Sequence, residues 1–230
     1  MRYIRKGSEP TCLIEFKKAQ EEAGIQPLYA NFREKEPLNN LLRAEQHHIC
    51  CYCQQRLTHF QRDKEGGAHN EHLIPQERAE GDTSKQLDYG NIYACCIDSR
   101  GMSANLQHCG ESKHDRRIHG FIQQEDCTEY FKYNSLGEIL PNGEYDTWEE
   151  YNRHQDTLSG NIKEAYREIC TLNLNCPRLR NDRRGDFFAL LSIIKDMSKE
   201  EIGHIMTTWN EEEYYLRFID MLLYFMKKKK

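Results

Sequence analysis

The chemistry-bearing residues of this sequence crowd into one stretch. Cys50-Cys51-Tyr52-Cys53 contains a CxxC formed by Cys50 and Cys53, a loop that lets two sulfurs approach one tetrahedral ion at about 2.3 Å each. Cys95-Cys96 and Cys109 can supply the second pair. The preferred reading is a four-thiolate zinc site of Cys50, Cys53, Cys96 and Cys109, with Cys51 and Cys95 as neighbours that could exchange into it. Buried free thiols, or a redox pair at Cys50/Cys53, are the competing readings. A lone CxxC would favour those, and the paired return favours zinc. Cys12, Cys127, Cys170 and Cys176 have no such neighbours and read as small apolar fillers of a reducing interior.

Between the two cysteine groups lies His69-Asn70-Glu71-His72, followed by Leu73-Ile74-Pro75. A Glu beside a His offers a hard oxygen ligand for Mg²⁺ or Mn²⁺ and an imidazole for proton transfer. The bland alternative is an exposed loop with adventitious histidines. A zinc protease would need two histidines separated by three residues on a helix, with Glu directly after the first, and that pattern is absent. A zinc deaminase would need His-x-Glu followed by Pro-Cys-x-x-Cys. His69-Asn70-Glu71 meets the first half, but the CxxC precedes it and no Pro-Cys follows.

The elements that must position these groups are only partly periodic. Pro10 with Leu13, Phe16 and Ala19 predicts a helix stopped near Gly24. A second helix from about Pro37 has Leu38, Leu41, Leu42 and Ala44 as its expected buried stripe and runs out at His47-His48. Gly66-Gly67 and Gly81-Asp82-Thr83-Ser84 are loop signals. Short strands are expected over Ala68 to Ile74 and Asn91 to Cys95, then a helix from Glu111 to Phe121. Residues 129–141 read as a hairpin. Thereafter the chain turns helical: Pro177 opens a helix with Phe187, Phe188, Leu190, Leu191 and Ile194, Ser198 to Glu201 has capping-box spacing, and Asn210 is a candidate cap for a last helix. Lys227 to Lys230 read as a solvated tail.

Composition narrows the classes. The 230 residues carry 32 Lys+Arg against 37 Asp+Glu, a net charge of −5. No run approaches the roughly 18 apolar residues of a membrane span, and no apolar signal region follows the basic start. A cytoplasmic protein with no membrane role is therefore expected. Aromatics at 10% are too many for a disordered chain. An acidic total requires any grip on nucleic acid to be local or supplied by a partner. Arg178, Arg180, Arg183 and Arg184 against Asp182 form one candidate patch, and Arg116 and Arg117 another.

Taken in order, CxxC, Glu71-His72-Leu73-Ile74-Pro75, Asn91-Ile92-Tyr93-Ala94-Cys95-Cys96, and His108-Cys109 with Lys113 four residues on resemble the HNH, or ββα-metal, nuclease motif in its zinc-braced form. The fuller chain is similar to the PtuB family, the HNH nucleases of Septu and certain retron anti-phage systems. The opening Met1 to Gly7, Gly137-Glu138-Ile139-Leu140-Pro141 and Leu172-Asn173-Leu174-Asn175 extend the likeness over most of the chain. The resemblance implies an α+β, mainly helical fold. Its expected parts are N-terminal helices (1–49) on a zinc-braced nuclease core (50–121), then a hairpin and helical region (122–230). It implies metal-dependent phosphodiester hydrolysis in anti-phage defence, with a PtuA-like ATPase partner, DNA as the favoured substrate, and RNA, tRNA or a retron RNA–DNA assembly as further expectations.

Residue by residue, the resemblance makes His72 the general base, Glu71 a ligand of the catalytic Mg²⁺ or Mn²⁺, and Asn91 the residue that steadies the loop carrying the base. The position after the last zinc cysteine should be His, Asn or Asp, and here it is Gly110. One helical turn later, His114 is the expected repair, with Lys113, Arg116, Arg117, Arg183 and Arg184 meeting phosphates. Activity is expected to fall below pH about 6.5, the free imidazole value. The alternative, for which Gly110 is the best argument, is a zinc-stabilised adaptor that cuts nothing and docks a partner through its C-terminal half, where Trp209, Tyr214, Tyr215, Phe218 and Tyr224 lie.

Overall fold

Proline and glycine punctuate the N-terminal helices as expected. In the computed structural model, which describes residues 1–61, 63–76 and 83–229 (of Thr83 and Ser84 the backbone alone), α1 (Thr11–Glu22) starts after Pro10. It ends ahead of Gly24, whose φ of 68° only glycine adopts freely. α2 (Lys35–Glu45) buries Leu38 and Leu42, but Leu41 and Ala44 of the expected stripe are exposed. Asn39 and Arg43 are buried in their stead. The reason is the surface α2 meets: Asn39 donates to Asn70 Oδ1 at 2.8 Å, and Arg43 donates to Asn39 Oδ1 and to the Thr58 carbonyl. The helix rotates a polar edge inward because a polar strand lies beneath it.

That strand is the middle one of three. β1 (His59–Phe60) runs parallel to β2 (Gly67–His72), which pairs antiparallel with β3 (Ile92–Cys96). Every residue of β3 is buried, while β2 is a polar segment held between two partners. The register sets His69 opposite Cys95, Glu71 opposite Tyr93 and His72 opposite Ile92. Side chains alternate between faces along a strand, so His69 and Glu71 share one face and Asn70 and His72 the other. α2 covers the second face. α3 (Gly110–Lys113) approaches the first, and it is a single turn: the helix expected to reach Phe121 stops because His114 takes φ 47°. Gly81 and Asp82 of the expected loop lie outside the described residues.

β4 (Phe131–Tyr133) and β5 (Ile139–Pro141) form the expected hairpin. Four helices, α4 (Trp148–Arg153), α5 (Gly160–Thr171), α6 (Pro177–Ile194) and α7 (Lys199–Glu211), precede α8 (Ile219–Lys229). Ser198 and Glu201 make the expected capping box on α7. Asn210 lies inside α7 instead of capping the last helix, which begins after Phe218 (φ 57°). On α6, Phe187, Leu190 and Ile194 are buried, whereas Phe188 and Leu191 face outward. Cys170 is exposed and so is not an interior filler. Lys229 is no free tail residue, since its ammonium donates to the Lys195 and Ile194 carbonyls at the end of α6; Lys230 lies outside the described residues. One buried cluster runs from Met1 and Leu42 through Cys50 and Tyr93 to Ile169 and Met226, drawing on all three expected segments. Among the described residues, no helix is long and apolar enough to cross a membrane. The result is an α+β, mainly helical fold.

Candidate metal and active centre

The cysteine cluster is assembled by a tight loop, a strand end and a turn. Cys50 to Cys53 form a tight loop closed by hydrogen bonds from Cys50 N to Gln55 O and from Gln54 N to Cys50 O, with Gln54 at φ 64°. Cys96 ends β3. Cys109 (φ 57°) is fixed by a 2.8 Å bond from its N–H to the Leu172 carbonyl, and Asn173 donates to the Gln107 carbonyl beside it. The Leu172 to Asn175 segment therefore clamps the last cysteine. All four sulfurs, of Cys50, Cys53, Cys96 and Cys109, lie within 4.8 Å of one another and are buried. Cys50 and Cys109 are 3.9 Å apart and Cys53 and Cys96 3.6 Å. A tetrahedron with bonds of about 2.3 Å has edges of about 3.8 Å, so the spacing suits one ion. Burial pushes the Cys53 thiol up to about 12 and that of Cys109 well above its ordinary value. A cation is what would let such thiols ionise. Cys50, Cys51 and Cys95 form a second, three-sulfur group within the same span, which leaves a tetrahedron incomplete.

The Glu71 face of β2 lies beside this cluster. Glu71 Oε1 receives the Lys113 ammonium at 2.9 Å and the Tyr52 hydroxyl at 3.3 Å. Glu71 Oε2 lies 3.7 Å from His69 Nε2, which is buried and has no hydrogen-bond partner among the described residues. A Cβ on Gly110 would stand 2.8 Å from His69 Nε2 and 2.9 Å from Glu71 Oε2. Gly110 is thus the residue that lets the His69 ring approach Glu71. Burial, and then Cys95, raise the Glu71 pKa against the opposing pull of Lys113 and His69. For His69, burial works against the charged form, but Cys95 and Glu71 outweigh it and the net shift is upward. A carboxylate oxygen and an imidazole nitrogen converging in a buried place are a fitting donor pair for a divalent ion.

His72, at the end of β2, has different surroundings. Its ring packs edge-on against Tyr29 at 4.5 Å, Nε2 bonds to the Gln86 carbonyl at 2.9 Å, and Nδ1 bonds to the Gln76 side-chain nitrogen at 3.0 Å. The carbonyl can only accept, so Nε2 carries the proton and Nδ1 is the lone-pair nitrogen. Burial lowers the His72 pKa to about 4. The imidazole is neutral well below pH 6.5, so the expected loss of base function at that pH moves down by more than two units. Asn91 ties down the chain just beyond it. Its Oδ1 accepts from Ile74 N at 2.7 Å, and its Nδ2 donates to the Ile74 and Lys85 carbonyls.

Other expected site residues fall elsewhere. Lys113 is 1% exposed and bonds Glu71 and the His72 carbonyl, so it is an internal counter-ion and not a phosphate contact. The same-face argument for His114 does not hold, because α3 ends at Lys113 and His114 departs from helical geometry with an exposed side chain. Arg183 is 2% exposed and donates to the Gly137 and Leu174 carbonyls, which removes it from the expected basic patch. Arg116 and Arg117 are on the surface, Arg116 anchored on the Thr171 carbonyl, and Arg184 is exposed above Phe188. Sequence reasoning missed His69 as a partner of Glu71, although the i, i+2 spacing on a strand was the available signal. It also missed Arg100, a surface cation beside this face that pairs with Glu111 at 2.9 Å.

No family model matches the chain. A curated protein of Escherichia coli named "Retron Ec83 putative HNH endonuclease" is 26% identical to it over 253 aligned positions, spanning 93% of this chain and 89% of that protein. This distant likeness supports an HNH-type nuclease reading and extends over nearly the whole chain.

Proposed function

We propose that the chain is a metal-dependent HNH endonuclease of the PtuB kind that hydrolyses phosphodiester bonds of nucleic acid, with DNA favoured. In this reading Zn²⁺ on Cys50, Cys53, Cys96 and Cys109 braces a thin ββα unit that has little apolar burial of its own. Glu71 would hold Mg²⁺ or Mn²⁺. When bound, that ion supplies positive charge to the scissile phosphate and leaving oxygen. The observation that supports the reading is four convergent thiols at the end of a β2–β3 pair that has Glu71 on one face, His72 on the other and Asn91 just ahead of β3.

The chain's own residues perform the proton chemistry. Gln86 holds the His72 proton on Nε2, which leaves Nδ1 free to accept. A water in place of the Gln76 amide would give its proton to Nδ1 as its oxygen attacks phosphorus and the bond to the leaving oxygen breaks. Asn91 keeps this loop in register, and Lys113 fixes Glu71 by Oε1 so that Oε2 is presented. Arg117 and Arg184, with Arg116 and Arg100, are among the surface cations that would meet phosphates. The likeness to a protein named for a retron is in keeping with a defence role, and the PtuA-like ATPase partner is carried over from the resemblance to the PtuB family; the carrier of specificity in a net-acidic nuclease would be that partner or a retron RNA–DNA assembly. Incubating purified protein, alone and with the ATPase, with DNA and tRNA under Mg²⁺, Mn²⁺ or EDTA tests this. Metal-dependent cleavage lost in His72→Ala is expected. Cleavage that survives His72→Ala removes the base assignment, and no cleavage under any condition favours the adaptor.

A further inference from the structure

A metal site with Glu71 as its one protein ligand would be weak, and the position that should supply a second is a glycine. The structure shows what stands there. The His69 imidazole occupies the place a side chain on residue 110 would need: an added Cβ would be 2.8 Å from Nε2 and 3.1 Å from Cε1. Real Cβ atoms are not found so close, so a ring at 69 in this pose and a side chain at 110 exclude each other. Gly110 and His69 are therefore two halves of one exchange.

Cys95 engages the His69 side chain but leaves its Nε2 unaccounted for. Its Nε2 is buried yet has no partner among the described residues, and an orphaned buried nitrogen is costly unless something else engages it. Glu71 Oε2 is the nearest charged oxygen, but 3.7 Å is too long for a hydrogen bond. It is short enough for one shared ion, since donors about 2.1 Å from a common ion can be at most about 4.2 Å apart. The other Glu71 oxygen is already taken by Lys113 and Tyr52, so Oε2 is the one left for a metal. His114 caps α3 at φ 47° with an exposed side chain, so helical spacing gives no reason to place its ring here.

We propose that His69 supplies from β2 the metal ligand that position 110 lacks, so that His69 Nε2 and Glu71 Oε2 together hold the catalytic divalent ion. This rests on the metal-dependent nuclease reading above and names the ligand set of that same centre. It also removes the argument that Gly110 makes the chain a non-catalytic adaptor.

The test is Mn²⁺ binding to the purified, zinc-loaded full chain, followed by calorimetry and by the nitrogen modulation of the Mn²⁺ electron spin echo. Wild type is expected to bind one Mn²⁺ and to show coupling to an imidazole nitrogen. His69→Ala should weaken binding at least tenfold and abolish the coupling. Gly110→Ala keeps both donors but wedges a methyl within 3 Å of each, and should weaken binding comparably. Gly110 is not among the positive-φ glycines, so the substitution adds no backbone strain. The double variant His69→Ala with Gly110→Asp should recover affinity to within a few-fold without recovering the nitrogen signal. Zinc content equal to wild type certifies that each variant is folded. Unchanged Mn²⁺ affinity in folded His69→Ala, or nitrogen coupling that persists in it, overturns the proposal. If Mn²⁺ binds as described and no variant or wild type cleaves nucleic acid, the ligand assignment stands and the nuclease reading falls.

Discussion

Lys113→Met separates two accounts of this lysine. As a phosphate contact it would be spare in the free protein; in the structure its ammonium is 2.9 Å from Glu71 Oε1 and 2.8 Å from the His72 carbonyl, at 1% exposure. Two charges that close attract by about 6 kcal/mol at an effective dielectric of about 20, before desolvation is subtracted. Removing one partner of such a pair leaves the other charge buried and costs roughly 3–5 kcal/mol. For a chain of this size that lowers Tm by roughly 6–20 °C. The assay is thermal and urea unfolding of zinc-loaded protein without added divalent ion. Adding Glu71→Gln should restore much of the loss, because the uncompensated carboxylate goes with it, and a double-mutant cycle measures the coupling. A surface contact predicts the reverse pattern: unchanged Tm, weaker nucleic-acid binding and a salt slope reduced by about 0.9. That outcome would refute the internal counter-ion.

Three further outcomes follow from the same geometry. Cys53→Ser should lower zinc content and unfold the protein under conditions where wild type is stable, while Cys170→Ser, at an exposed position, should leave both unchanged by metal analysis and circular dichroism. Arg183→Met leaves the Gly137 and Leu174 carbonyls without their donor and should destabilise by about 3 kcal/mol in urea titrations, whereas Arg184→Glu should shift stability by less than about 0.5 kcal/mol and weaken nucleic-acid binding. The His72 ring should titrate near 4 by histidine-labelled NMR; a midpoint at 6.5 or above would contradict its burial. The unfolded chain takes up that proton near 6.5 and the folded chain only near 4, so this residue stabilises fully above 6.5. That contribution is lost as pH falls through the interval down to about 4, by about 3 kcal/mol in all.

The sequence was most legible where the rule is local. Two sulfurs in a CxxC and a later pair announce a tetrahedral site because ligand spacing is set by a few bonds. Pro10, Pro177 and the Ser198/Glu201 box mark helix starts for the same reason. Legibility failed where a polar side chain is satisfied by something distant in sequence. A run of arginines looks like a solvated face, yet Arg183 finds its carbonyls on the hairpin turn and on the segment before α6. Lys113 looks like a surface cation because nothing nearby in sequence says that Glu71 waits in the interior. The helix after Cys109 fails differently. Glu111-Ser112-Lys113 are acceptable helix formers, but the chain leaves helical geometry at His114, and Arg116 turns back to the Ser112 and Thr171 carbonyls that a continuing helix would have covered.

The adjacency of Glu71 and His72 in sequence hides a separation in space. Strand alternation sends one toward Gly110 and Lys113 and the other toward Tyr29 and Gln86, so the proposed metal-holding carboxylate and the proposed base are reached from opposite faces of one strand. In the proposed reading a substrate would engage both at the end of β2, where His72 is the last paired residue. That is where Asn91 makes its three hydrogen bonds, two to Ile74 and one to Lys85. A fixed turn there is what keeps the two faces in a constant relation. The proposed metal brace would act on the same relation from the other end, because Cys96 ends the strand that follows Asn91 and Cys109 precedes Gly110. On this view Asn91 acts by holding Glu71 and His72 at a working distance, and Asn91→Ala should lower turnover before it lowers affinity for nucleic acid.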